Sequence, residues 1–295
     1  MSDRLEKPVF APALPPPAPA PQPSPFARAW SKPVLGLLLL SWVVACGLCA
    51  LRIDLKDGWR WLDSLVVTIA TASTALALME RLPLQNVLWA SALIGTLAVI
   101  VESLQAAARL PFGPHQYGDG PGPLAFSILS FWPIPLLWIC LILNSRGVAR
   151  LILRPWRADR HYGYWVIGFA GLLTVLLALG LEPYASKVRH YWHWQDSATR
   201  PAWYEAWYDV PWYSFLSWFG WSLGILVLTT PWLINKHPIR QPVSYQPVIV
   251  WGLFSLLFAT ANGVNGYLLA AAVGSIGTAG VGALTYRGAR WSPAS

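Results

Sequence analysis

Residues Ala98–Trp138 read AVIVESLQAAARLPFGPHQYGDGPGPLAFSILSFWPIPLLW. An apolar run ends in a carboxylate, Glu102. A turn rich in Gly and Pro follows, carrying His115, Tyr117 and Asp119. A second apolar run then opens and holds Pro133, Pro135 and Trp138. An acid at the end of an apolar helix, beside a loop of polar and aromatic groups, is costly in lipid. Ionisable groups at that depth are candidates for function.

The rest of the chain has the same character. Of its 295 residues, 55% are hydrophobic and 12% charged, against roughly 25% charged in soluble domains. Several apolar runs reach the roughly 20 residues that a bilayer crossing needs. They are continuous, which argues against the alternation of a membrane β-barrel. The expected fold is all-α: a polytopic transmembrane helical bundle with an aromatic-rich interfacial loop. Eight spans are expected, at Pro33–Leu51, Trp61–Glu80, Leu84–Glu102, Leu124–Leu143, Tyr164–Leu181, Trp212–Leu233, Pro247–Ala261 and Tyr267–Tyr286. The last two meet at Asn262–Gly266 and count as one if they form an interrupted helix, making seven. Three regions result. Residues 1–30 form a Pro/Ala-rich tail that cannot bury a core and is expected to be disordered. Residues 31–287 form the helical domain, and 288–295 a short C-terminal tail. The N-terminal segment lacks the apolar stretch of a secretory signal.

The formal net charge of +8 would suit nucleic acid in a soluble protein. Here the basic residues sit in short loops between apolar runs, so they set topology and touch anionic lipid. The Asn144–Gly163 connection carries Arg146, Arg150, Arg154, Arg157 and Arg160 against Asp159, which marks it as cytoplasmic. Alternation puts the N-terminus, the Lys236/Arg240 loop and the Arg287/Arg290 tail on the same side. The expectation is an integral protein of the bacterial inner membrane with a cytoplasmic N-terminus and membrane lipids, not nucleic acid, as partners. The opposite face receives the Ser103–Pro123 and Glu182–Pro211 loops. The latter is crowded with Trp and Tyr, suiting a segment along the interface that covers a pocket between helices.

Glu102, Asp119 and Glu182 therefore lie near one membrane face, among apolar or aromatic residues. Burial disfavours the charged form of a carboxyl, and a protonated one can act as a general acid. His190 and His193 stand three apart, but no third ligand follows at metal-site spacing, so no metal is expected. Cys46 and Cys49 lie in an apolar run, where Cys behaves as a small hydrophobe. No phosphate-binding glycine loop, nucleophile elbow or HExxH motif is present, and no cofactor is expected. Acids and aromatics in an apolar bundle suit acid-initiated chemistry on an unsaturated lipid, in which ring faces stabilise a carbocation.

Three segments resemble a known family, the CruF-type carotenoid 1,2-hydratases, also called bisanhydrobacterioruberin hydratases. One is Glu102 followed by Pro111-Phe112-Gly113 and Tyr117. Another is Pro133-Ile134-Pro135 with Trp138. The third is Glu182-Pro183 with Trp192-His193-Trp194, then Tyr208, Pro211, Phe215 and Trp218. Against the family's pattern, Glu182 stands for Asp, His115 for Tyr, Ser214 for Asn and Asp209 for Gly. The resemblance implies cofactor-free addition of water across the terminal 1,2 double bond of an acyclic carotenoid. Glu102, Glu182 and Asp119 are then the catalytic candidates. His115, Tyr117, Trp138, Trp192, His193, Trp194, Tyr208, Phe215 and Trp218 are the candidates for contacting substrate. The competing readings are a non-catalytic scaffold or carrier for isoprenoid lipids and a transporter. The Pro-rich tail suits partner binding, with other carotenoid enzymes as one class of partner.

Overall fold

A computed structural model describes residues 24–53, 61–108, 111–113, 115–118, 133–194, 205–234 and 243–291. Within them eight helices are long and apolar enough to cross a membrane, and the protein is an integral membrane protein. The helices are α1 (Pro25–Ala50), α2 (Trp61–Met79), α3 (Leu84–Ala108), α4 (Pro133–Ile152), α5 (Tyr162–Pro183), α6 (Trp212–Leu233), α7 (Gln246–Val264) and α8 (Leu268–Arg290).

Most boundaries follow the apolar runs, but some differ. Helix α1 starts at Pro25 rather than Pro33, because proline is well placed in a helix's first turn, where its missing N–H costs nothing. Helix α3 runs past Glu102 to Ala108, so the carboxyl projects from within a helix rather than from its end. The described part of helix α4 runs from Pro133 to Ile152, past the expected end at Leu143; residues 124–132 of that span lie outside the described residues. Pro133 and Pro135 lie in its first described turn, where a missing N–H costs least. Asn144, Arg146 and Arg150, expected in a loop, are consequently helical. The last two spans are separate helices: the chain turns at Asn265–Tyr267, where Gly266 takes φ +87°, a conformation glycine adopts without strain. The expected Pro/Ala tail lies outside the described residues up to position 23.

Hydrogen bonds between helix ends fix an antiparallel bundle. At one end, Trp138 near the start of α4 reaches Glu102 on α3, and Trp218 near the start of α6 reaches Glu182 on α5. At the other, Asn86 at the start of α3 and Arg146 in the last half of α4 donate to Trp232 and Leu233 carbonyls at the end of α6. Arg154 donates to the Ala289 carbonyl of α8. Helices α7 and α8 approach closely because Gly274 faces Ala259, as small residues on a facing stripe permit.

The bundle is all-α as expected, apart from two short ribbons among the described residues. Strand β1 (His115–Tyr117) pairs antiparallel with β2 (Trp192–Trp194), in the register His115↔Trp194, Gln116↔His193 and Tyr117↔Trp192. Strand β3 (Glu205–Trp207) pairs with β4 (Val210–Pro211). The Glu182–Pro211 segment is thus partly ordered secondary structure. Helix α5 first prolongs itself as a π-helical turn, Tyr184–Val188, before the chain enters β2.

Candidate functional site

The β1–β2 ribbon joins the two loops that carry the candidate residues. Successive side chains on a strand alternate faces. The register therefore puts His115, Tyr117, Trp192 and Trp194 on one face and Gln116 and His193 on the other. Aromatic cross-strand pairs of this kind stabilise a short ribbon. The His115 ring meets Trp194 edge-on at a centroid distance of 4.9 Å, Tyr117 at 5.1 Å and Trp192 at 6.1 Å. The chain is pinned further by Gly118 N–H to the Tyr191 carbonyl, 2.8 Å, and by Gln105, which holds Phe112 N–H at 3.0 Å.

Under this face lie the two glutamates. Glu102 accepts from the Tyr117 hydroxyl at one oxygen and from Trp138 Nε1, 3.2 Å, at the other. Glu182 is only 3% exposed and accepts from Trp192 Nε1 at 3.2 Å and Trp218 Nε1 at 3.0 Å. Trp138 and Trp218 stack on each other, with centroids 4.4 Å apart and planes at 16°. One stacked pair thus serves both carboxyls, each indole N–H committed to a different glutamate. Phe112 closes the side, 5.4 Å from Trp218 and 6.3 Å from Trp138. The glutamates are near enough to act on one another electrostatically, and both act on Tyr117. Burial, reinforced by Glu102, pushes the Tyr117 hydroxyl well above its ordinary range. Burial pushes the His115 imidazolium down to about 4, so the ring is neutral at physiological pH. His115 Nδ1 and Trp194 Nε1 are buried without hydrogen-bond partners among the described residues. Trp194 nonetheless lies near the Glu182 carboxyl.

A family model described as carotenoid biosynthesis protein matches residues 62–281, more than two thirds of the chain and all of the site just described. The chain belongs to the carotenoid biosynthesis protein family. No curated protein and no solved structure matches it. For a carotenoid biosynthesis protein in the membrane, the site's surroundings suit a lipid-soluble isoprenoid.

Seven of the residues singled out from sequence come together here: Glu102, Glu182, His115, Tyr117, Trp138, Trp192 and Trp218, with Trp194 beside His115 as an eighth. Three are placed elsewhere. His193 is exposed on the outer face of β2, because the strand's alternation turns it away from its Trp neighbours, and it stacks on His190. Tyr208 lies in the β3–β4 turn, edge-on to Tyr267 and bonded through its hydroxyl to Ala270 N–H at 3.3 Å. Phe215 is half-buried against the hydrophobic core. Asp119 lies outside the described residues. Asp209, where the family pattern has Gly, takes φ +68°; a left-handed backbone explains that glycine, and Asp is among the few other residues that tolerate it. Its carboxylate pairs with Lys187. Ser214, in place of Asn, is fully buried and its Oγ has no partner among the described residues.

A second polar cluster escaped the sequence reading. Arg189 forms a two-pronged ion pair with Asp63 (Nε to Oδ2 3.1 Å, Nη2 to Oδ1 3.3 Å). Tyr191 donates its hydroxyl to Asp63, and Arg189 donates to the Tyr184 hydroxyl at 3.2 Å. Asp63 sits in the apolar stretch Trp61–Val67. That was the available signal, but a lone acid in a helix's first turn also suits the positive end of the helix dipole.

Proposed function

We propose that this protein is a cofactor-independent hydratase adding water to the terminal 1,2 double bond of an acyclic carotenoid end group. The observation that carries the reading is the pair of carboxyls, Glu102 and Glu182, held by the two indoles of one stacked pair inside an aromatic chamber. A pair that shares one proton supplies an acid and a base together. The protonated carboxyl gives its proton to the less substituted alkene carbon, and a tertiary cation forms at the other. The faces of Trp138, Trp192, Trp218 and Tyr117 stabilise that cation by about 0.5–2 kcal/mol each. A water then forms the C–O bond, and its surplus proton returns to the carboxyl pair. A buried water needs two or more polar partners. Trp194 Nε1–H offers a donor, and neutral His115 offers Nδ1 as an acceptor when its proton sits on Nε2. The product is a tertiary alcohol; atoms and charge balance without a redox partner.

In this reading the protein lies in the bacterial inner membrane with its basic end, Arg146 to Arg160 and Arg287 to Arg290, in the cytoplasm. The carboxyl site then lies toward the opposite leaflet. Expression in lycopene-producing cells, with pigments analysed by chromatography and mass spectrometry, tests the reaction. The expected result is a pigment heavier by one or two waters. Unchanged lycopene in cells that contain folded protein contradicts it.

A further inference from the structure

An apolar cavity lies beside the carboxyl cluster, between the starts of α2 and α4, the end of α5 and the middle of α7. Its walls include Ile134, Leu137, Leu181, Phe254 and Phe258. Trp192 belongs to both compartments: it lines the cavity and donates its N–H to Glu182. A separate groove runs between α1 and α2, formed by Leu37, Leu40 and Val44 on one side and Leu62, Leu65 and Ile69 on the other. Leu37, Leu40 and Val44 are all more than half exposed on a helix long and apolar enough to span the bilayer, so this groove faces lipid. Cavity and groove share two lining residues, Asp63 and Val66.

We propose that this line is the substrate's route and seat. An acyclic isoprenoid hydrocarbon enters sideways from the bilayer between α1 and α2, passes Val66, and lies in the cavity with its end against Trp192. The Asp63–Arg189 pair makes a carboxylate tolerable on such a path. A bare buried charge would repel hydrocarbon, but this one is compensated by a guanidinium and a tyrosine hydroxyl. The same pair ties α1 to the segment that carries Trp192, since Arg189 also reaches Cys49 Sγ on α1 at 3.7 Å and stands three residues before Trp192. The guanidinium is committed to Asp63, Tyr184 and Cys49. Those contacts engage Nε and Nη2, and Asp63 matches the guanidinium's charge, which favours an uncharged chain over an anionic phospholipid headgroup.

This inference takes its substrate class from the proposed function, but binding and chemistry are separable. The full chain, purified from lycopene-producing cells, is tested with a photo-reactive benzoylphenylalanine at Leu40, in the groove, and at Leu137, in the cavity. Both positions are expected to yield polyene adducts by mass. Val66→Trp, which overfills the shared wall, is expected to lower the polyene carried per protein by about tenfold, while Val66→Ala retains it. If Val66→Trp fails to fold, the Leu137 adduct decides. No polyene adduct at Leu137, a phospholipid adduct there, or full polyene loading of folded Val66→Trp overturns the proposal. Polyene adducts without any hydrated pigment would leave this route standing and remove the hydratase reading. Hydrated pigment without an adduct at Leu137 would do the reverse.

Discussion

At the scale of single residues, groups of like chemistry do different work in the proposed reaction. Glu102→Gln and Glu182→Gln keep shape and hydrogen-bonding capacity but cannot give or take the reaction's proton. Each is expected to lower hydration by roughly 10²–10⁴-fold, read as product per protein in membranes supplied with lycopene; wild-type turnover in either removes that residue from the mechanism. Trp138→Phe keeps the stack on Trp218 but deletes the N–H to Glu102. A hydrogen bond to a charged group is worth about 1.5–3 kcal/mol, so the loss should be roughly 10–100-fold, short of the Gln variants. His115 gives a pH prediction. Burial lowers its pKa from 6.5 to about 4, so its neutral form is favoured in the folded state. The stability this contributes is present above pH 6.5 and is lost as pH falls through about 4. Nitrogen NMR of histidine-labelled protein should show His115 neutral at about pH 5.5, where an ordinary histidine is mostly protonated. An imidazolium signal for His115 at that pH contradicts the burial.

At the scale of elements, the β1–β2 ribbon decides whether the candidate residues meet. Gly118 follows β1 directly, and a Cβ there would run into the His190 carbonyl oxygen and crowd the His193 ring. Gly118→Ala should push the strands apart and lower hydration about tenfold or more. Helix content by circular dichroism should stay unchanged, because no transmembrane helix rests on that contact; full activity would show that the ribbon does not position the site. The helices were legible in the sequence because continuous apolar runs of this length have few other outcomes. The ribbons were not, because three-residue strands are too short to show alternation. The expected end of α4 at Leu143 falls short because Asn144, Arg146 and Arg150 look like a loop by polarity, whereas the helix carries them on to Ile152. Glu102, Glu182 and the aromatic residues of the ribbon could be found as polar or ring-bearing groups where apolar runs end. Which of Trp192, His193 and Trp194 face inward depends on register, and the Asp63–Arg189 pair joins residues 126 apart in sequence, which no local pattern announces.

At the scale of the whole molecule, the bundle is polarised. Glu102, Glu182 and Asp63 gather at one end, and Arg146, Arg150 and Arg154 at the other. An even number of crossings predicts that reporter domains fused ahead of Pro25 and after Trp291 report the same side, and that one inserted after Gly118 reports the opposite side. An insertion at Gly118 that reports with the termini would overturn the antiparallel assignment. In the proposed reaction, the carboxyls at this end give their proton where a lipid-soluble chain and interfacial water meet. That claim is tested most directly by isotopes. Membranes containing the protein and lycopene are incubated in deuterated water and, separately, in oxygen-18 water. The account predicts one carbon-bound deuterium and one oxygen-18 for every hydrated end group. Product whose carbon carries no solvent deuterium, or whose oxygen comes from dioxygen, would contradict protonation of an alkene by Glu102 or Glu182.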